Sequence, residues 1–127
     1  DETMTVDLVI EAFDMAVAKR QIPPGLILHS DRGVQYRASN YQGRLLDEGI
    51  RPSMSRKGNC WDNTAMESSF ARLKVESLYA ESFTDKGEAY ASVFEFIELF
   101  YNSIRRHSAN GYKSPKQYED EYYAQCA

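Results

Sequence analysis

The chain has 127 residues, of which 43% are hydrophobic and 27% are charged, and its formal net charge at pH 7 is −4. These values are typical of a soluble globular protein of at most one domain with a buried core, and no apolar run is long enough to predict a membrane span. Fifteen basic against nineteen acidic residues exclude the strongly basic composition that would by itself indicate a nucleic-acid partner.

The two cysteines, Cys60 and Cys126, lie far apart in the sequence and lack the spacing of metal ligands. A disulfide framework is therefore not expected, and the composition predicts a reducing, cytoplasmic setting.

The first half of the chain predicts two helices and two strands. Apolar residues recur at three- and four-residue spacing over residues 5–19, which predicts a helix capped by Thr5. A continuous apolar run over residues 26–28 predicts a strand of a parallel sheet covered on both faces. A second helix is expected over residues 39–49, and a second, outer strand over residues 50–54.

The second half predicts three more helices. Asp62 or Asn63 is expected to cap the first, over about residues 63–79. Its predicted core stripe consists of Met66, Phe70, Leu73 and Ser77. Residues 85–104 have the strongest helical pattern, with more than one apolar side. Ser114-Pro115 predicts the start of a last short helix, because proline suits the first helical position.

Two carboxylates stand out as candidates for function. Asp31 directly follows the apolar strand, and ligands gather at the carboxyl ends of parallel strands. The alternative is that Asp31 only forms a turn with Gly33 or caps a helix. Glu67 and Lys74 are seven residues apart and should share a helix face; the alternative is an ordinary amphipathic boundary row.

Three motifs together resemble a known family. The segments HSDRGVQY (29–36), GNCWDNTAMESSFARLKVE (58–76) and YNSIRRHSANGYKSPKQY (101–118) closely resemble the catalytic domain of IS3-family insertion-sequence transposases. These enzymes belong to the DDE superfamily together with retroviral integrases. In that family 35 residues separate the second Asp from the Glu, and here residues 32–66 intervene between Asp31 and Glu67.

The resemblance implies an α/β fold of the RNase H-like, integrase-core type, whose complete form has a five-stranded mixed sheet with helices on both faces. We expect an incomplete C-terminal portion, with a short parallel strand pair and four to five helices. The first three strands and the first catalytic Asp would be lacking, since none of Asp1, Asp7 and Asp14 can substitute for it. The core is expected over about residues 1–104, with a tail over residues 105–127.

The resemblance also implies the chemistry, which is metal-dependent DNA cleavage and strand transfer. Asp31 and Glu67 would hold Mg²⁺ or Mn²⁺, as part of a two-ion site in the intact enzyme. Lys74, at the family's basic position, would contact a phosphate near the scissile bond. Further DNA contacts are expected from loop and helix-end residues, namely Arg56, Lys57, Asn59, Arg105 and Arg106. Without the first Asp, the chain alone is expected to be inactive.

The expected partners are DNA, as insertion-element ends and target, and a second copy of the chain, in the bacterial cytoplasm at the nucleoid and not in a membrane. Two alternatives stay open. A bare edge on the strand before Asp31 would invite pairing with another chain, which favours a non-catalytic oligomerising or DNA-binding module. An RNase H-type nuclease would use the same metal chemistry for hydrolysis.

Overall fold

The computed structural model describes residues 4–127, apart from the side chains of Cys60 and Ala80. Asp1, which was predicted not to replace the first catalytic Asp, lies outside the described residues, and so does the side chain of Cys60. Cys126 is an exposed free thiol. The chain divides into two compact units, residues 1–64 and residues 65–127. In the described part of the chain, no helix is long and apolar enough to cross a membrane.

The first unit contains a two-stranded parallel sheet and three helices. The elements are α1 (Val6–Lys19), β1 (Ile27–Ser30), α2 (Val34–Arg37), α3 (Ser39–Asp47) and β2 (Arg51–Met54), followed by a 3₁₀ turn at Cys60–Asn63. The strands pair in register from Ile27 opposite Arg51 to Ser30 opposite Met54. The predicted parallel strand pair is thus confirmed, and α2 is an element that the sequence pattern did not predict.

Local sequence explains where these elements begin and end. The Thr5 side chain accepts a hydrogen bond from the backbone N–H of Leu8 at 3.2 Å, so the predicted cap of α1 is confirmed. Gly49 follows α3 with φ +70°, a left-handed conformation that glycine adopts without steric cost. The chain can therefore reverse at Gly49 and enter β2 directly.

The core of the first unit lies between the helices and one face of the sheet. It is formed by Phe13, Tyr41, Leu45 and Ile50. The rings of Phe13 and Tyr41 meet edge to face, with centroids 6.1 Å apart. Burial raises the pKa of Tyr41 above its usual value, and the neighbouring Tyr36 adds to the effect.

The prediction that β1 is covered on both faces is wrong for the described residues. Burial alternates along the strand: the side chain of Leu28 packs against the core, whereas Ile27 is 60% exposed. A continuous apolar run does not reveal whether a second layer is present, and no described element covers the face that carries Ile27.

The second unit is helical. Its elements are α4 (Thr64–Glu76, which begins at the end of the first unit), a 3₁₀ turn (Leu78–Ala80), α5 (Lys86–Phe94), a π-helix (Glu95–Tyr101), a 3₁₀ turn (Ser108–Asn110) and α6 (Pro115–Cys126). The side chains of Ser114 and Gln117 form a capping box at the start of α6, which confirms the predicted start of this helix. At 12 residues, α6 is longer than expected.

The helix predicted over residues 85–104 is present from Lys86 to Tyr101, but it is not α-helical throughout. The helix is α-helical only to Phe94 and then widens into a π-helix, in which the N–H of Asn102 donates to the carbonyl of Ile97. The ring of Phe96 contacts the rings of Phe100 and Tyr101 along this wider turn. A periodic apolar pattern is compatible with both windings, so it did not distinguish them.

The predicted core stripe of α4 is wrong for its first two positions, whereas Leu73 is half-buried and Ser77 is buried. No residue of α4 is buried, and Met66 and Phe70 are 53% and 54% exposed. Only Ser77, just beyond the helix, is buried. Apolar spacing indicates which face a helix could bury, but the described residues provide no layer over this face.

Leu45 and Leu46 offer a matched test of the core of the first unit. Leu45 is fully buried, whereas the adjacent Leu46 is 65% exposed on the same helix. We expect Leu45→Ala to lower the free energy of unfolding by about 2–5 kcal/mol because it leaves a cavity. Leu46→Ala should change it by less than about 0.5 kcal/mol. Urea unfolding followed by circular dichroism measures both, and equal effects would contradict the described core.

Candidate active site

Asp31 lies in a hydrogen-bonded turn at the carboxyl end of β1. Its Oδ1 accepts a hydrogen bond from the N–H of Gly33 at 2.7 Å. A Cβ added at Gly33 would lie 3.0 Å from this oxygen, so a side chain there would require the Asp31 carboxylate to shift by a few tenths of an ångström. The carboxylate is exposed, and it forms no ion pair with any residue that the structure describes. The predicted position at a strand end is confirmed, and so is the turn with Gly33.

A network of side chains joins the two strands next to Asp31. His29 Nδ1 lies 3.0 Å from Ser53 Oγ, and its Nε2 lies 3.1 Å from Ser55 Oγ. Arg32 Nε donates to the carbonyl of Ser55 at 2.8 Å. The sequence pattern predicted no role for these residues. The available signal was the i, i+2 spacing of the serines, which places Ser53 in β2 and Ser55 just after it on the same side of the extended chain.

Glu67 and Lys74 share one face of α4, as predicted from their spacing. Both line a shallow groove, together with Phe70, Ala71, Val75 and Tyr79. Their seven-residue separation corresponds to a rise of about 10 Å along the helix. Both side chains are exposed and form no ion pair within the described chain. The face thus presents one negative and one positive group to solvent.

The chemistry of Asp31 and Glu67 suits a hard divalent cation, which prefers carboxylate oxygens. Asp31 uses one oxygen in its turn and keeps the other, and neither carboxylate is neutralised by a basic side chain among the described residues. No group of three or more His, Cys, Asp or Glu side chains that could hold a metal occurs in residues 4–127 as described. Carboxylate oxygens are thus the right type of ligand for such an ion, but fewer than three potential ligand side chains come together in the described residues.

The loop before α4 is held by Arg56 and Asp62. Arg56 Nη2 and Nε donate to the Asp62 carboxylate at 2.9 and 3.0 Å, and the backbone N–H of Arg56 donates to it as well. Asn59 Oδ1 caps the following 3₁₀ turn through the N–H of Trp61. The Asp62 carboxylate is thus bound by Arg56, whereas Asn63, which directly precedes α4, stays the predicted cap of this helix. Lys57, in contrast, is exposed and unpaired among the described residues.

The adjacent Arg105 and Arg106 have different environments. Arg105 makes two hydrogen bonds to Glu76, whereas Arg106 is exposed and has no ion-pair partner in the part of the chain that the structure describes. Glu76 was not predicted to have a role. Its 29-residue separation from Arg105 gives no local signal in the sequence.

Family models match most of the chain. A model described as an integrase core domain matches residues 48–115, and a second model of the same description matches residues 1–60. The chain is also similar to solved structures. It aligns with a chain of the simian T-cell lymphotropic virus intasome, solved by cryo-electron microscopy in complex with PP2A regulatory subunit B56 gamma. The TM-score is 0.64 at 17% identity, over 79% of this chain and 37% of that one, which is a likeness of fold.

Curated relatives align over nearly the whole chain. The insertion element IS600 uncharacterized 31 kDa protein of Shigella sonnei is 45% identical over 126 residues, which cover 99% of this chain and 46% of that protein. Transposase InsF for insertion sequence IS3A of Escherichia coli (strain K12) is 44% identical over 121 residues, covering 95% of this chain and 42% of the relative. The chain thus spans less than half the length of these relatives.

The Arg56–Asp62 pair predicts a measurable titration. Side-chain and backbone hydrogen bonds from Arg56 lower the pKa of Asp62 from 3.8 to about 2. We expect Arg56→Gln to raise this pKa back toward 3.8 and Lys57→Gln to leave it unchanged, as measured by carboxyl-carbon NMR.

The same pair should make stability depend on pH. Because the folded-state pKa is depressed, the stabilisation by Arg56 is complete above the unfolded-state pKa and is lost as the pH falls through about 2. An Asp62 titration that is the same in wild type and Arg56→Gln would contradict the described pair.

Proposed function

Because the chain belongs to the integrase core domain family, we propose that it forms part of the catalytic domain of a transposase that cleaves DNA and joins it to a new site. The observation that carries the proposal is a pair of exposed, unneutralised carboxylates, Asp31 after β1 and Glu67 in the first turn of α4. They stand at the 35-residue spacing that the resemblance requires. The fold is RNase H-like, as in integrase cores.

In the proposed site Asp31 and Glu67 supply oxygen ligands to Mg²⁺ or Mn²⁺. When bound, such ions activate the attacking oxygen and stabilise the leaving oxygen of an in-line phosphoryl displacement. The turn with Gly33 orients the Asp31 carboxylate, since one of its oxygens is held by a backbone N–H. The aligned relatives extend well beyond this chain, and a further carboxylate, as the resemblance implies, is part of the proposal.

The proposed nucleic-acid partner is DNA, as insertion-element ends and target, and this includes association with the bacterial nucleoid. We assign phosphate contacts to Lys57, Lys74 and Arg106, whose charges are unpaired among the described residues. Such contacts give affinity and fix the position of the backbone without reading its sequence. Arg56 and Asn59 shape the loop that carries Lys57, through Asp62 and Trp61.

A second candidate function is a non-catalytic assembly module. It is favoured by β1, which pairs only with β2 among the described residues and presents the apolar side chain of Ile27 to solvent. A strand with one unpaired edge can join a strand of another chain, so self-association is part of either proposal. An RNase H-type nuclease would use the same metal chemistry for hydrolysis alone, without the joining step. Products joined to a second DNA molecule, rather than merely cut, distinguish a transposase from both.

The purified 127-residue chain should neither nick nor join DNA on its own. It contributes Asp31 and Glu67, and the third carboxylate of the proposed site is not supplied by Asp7 or Asp14, because α1 carries both and Asp14 is paired with Arg44. The measurement incubates the chain with Mn²⁺ and labelled DNA carrying an element end. Metal-dependent products that disappear with Glu67→Gln would contradict this expectation.

A further inference from the structure

The helix that carries Glu67 and Lys74 has little apolar packing to hold it. No residue of α4 is buried, and its large apolar side chains Met66, Phe70 and Val75 are more than half exposed. Apolar burial is the usual means by which a helix is fixed in a fold. The direction of the helix face that carries Glu67 and Lys74 therefore depends on polar contacts.

Two polar links in the second unit meet the C-terminal end of α4, at consecutive residues. Glu76 accepts hydrogen bonds from Arg105, and the hydroxyl of Ser77 lies 3.0 Å from that of Ser92 on α5. Ser77 is buried and Ser92 is half-buried, so this hydroxyl contact is partly shielded from water. The end of α4 is thereby tied both to α5 and to the segment that follows the π-helix.

The contact between Arg105 and Glu76 has the geometry of a specific pair. Arg105 Nη2 and Nε donate to the two carboxylate oxygens at 2.9 and 3.1 Å, a two-point contact that fixes orientation as well as distance. The side chains are only 23% and 27% exposed. The guanidinium also lies 5.7 Å from the centre of the Tyr101 ring, at the end of the π-helix.

The contact shifts the pKa values of both Arg105 and Glu76. The hydrogen bond to Glu76 raises the pKa of Arg105, and the same bond lowers the pKa of Glu76. Arg72, one turn earlier on α4, lies 3.8 Å from the same carboxylate and adds a weaker attraction. Glu76 is thus compensated by cations within the second unit.

We propose that Arg105 is a positioning residue: it holds the end of α4 through Glu76, so that Glu67 and Lys74 project in a fixed direction. Of the adjacent arginines, Arg106 then contacts DNA phosphate, whereas Arg105 acts through the helix. This assignment rests on the proposed function, because Lys74 matters only if it contacts DNA. The π-helix contributes by presenting Tyr101 under the guanidinium.

The first experiment needs no DNA. Hydrogen exchange of backbone amides is measured in the purified chain for wild type, Arg105→Gln, Arg106→Gln and the charge-swapped double variant Glu76→Arg with Arg105→Glu. We expect Arg105→Gln to speed exchange in the last two turns of α4 roughly tenfold or more, since a charge-assisted contact is lost. Arg106→Gln should not change it, and the swapped pair should restore most of the protection.

The second experiment measures the salt dependence of binding to a duplex DNA. Lys74→Gln and Arg106→Gln should each reduce the slope of log K against log salt by about 0.9, the value for one phosphate contact. If Arg105 acts through α4, adding Arg105→Gln to Lys74→Gln should cause little further change in the slope. If Arg105 itself contacts a phosphate, the two effects should add.

The outcomes separate the two proposals. Additive effects on the slope, or unchanged exchange in α4 with Arg105→Gln, would overturn the positioning role. Slopes that neither Lys74→Gln nor Arg106→Gln changes would overturn the proposed DNA contacts, and hydrogen exchange would then still decide whether Arg105 holds the helix. Should Arg105→Gln unfold the chain, the charge-swapped variant keeps the comparison possible, because it retains a pair at the same positions.

Discussion

The parallel pairing of β1 with β2 is the constraint on which the first unit depends. Pairing ends at Ser30 and Met54, so the residues that follow both strands lie at the same end of the sheet. Asp31 leaves β1 at that edge, while Ser55 and Arg56 leave β2. The imidazole of His29 contacts the hydroxyls of Ser53 in β2 and of Ser55 just after it, and this network joins the strands next to the Asp31 turn. The opposite side of the same pairing carries the core through Leu28. One register therefore determines both the packing and the position of the candidate carboxylate.

The second unit uses a different physical principle. The α4 helix presents Glu67 and Lys74 from a surface with no buried residue, and its C-terminal end is tied by hydrogen bonds and an ion pair. Hydrogen bonds and ion pairs fix the orientation of a helix well because they are geometrically specific, but they stabilise its packing less than apolar burial does. The proposed contact of this face with DNA is compatible with this arrangement, since a buried apolar face could not also present charge. The helix is exposed along its length while its C-terminal end is held.

Much of the fold could be predicted from sequence because its signals are local. The cap of α1 at Thr5, the parallel strand pair and the start of α6 at Pro115 each depend on a few adjacent residues or on a continuous pattern, and all three are confirmed. The resemblance to IS3-family transposases is confirmed by the relatives. The π-helix could not be predicted, because its apolar spacing suits an α-helix equally well. The ion pairs Arg56–Asp62 and Arg105–Glu76 form only when the folded chain brings their side chains together. Secondary-structure propensity contains no information on such contacts.

The most direct test of the account asks whether Asp31 and Glu67 are metal ligands of a strand-transfer site. The 121 aligned residues of InsF from IS3A are replaced by this chain, and joining of an element end to target DNA is measured with Mg²⁺. The account predicts joining by the chimera, and a loss of more than about a hundredfold with Asp31→Asn or Glu67→Gln, since a ligand should cost more than an outer-shell residue. The exposed controls Asp47→Asn and Glu81→Gln should keep full activity. Joining that survives either ligand substitution, or a chimera that binds DNA without joining it while parental InsF is active, would contradict the account.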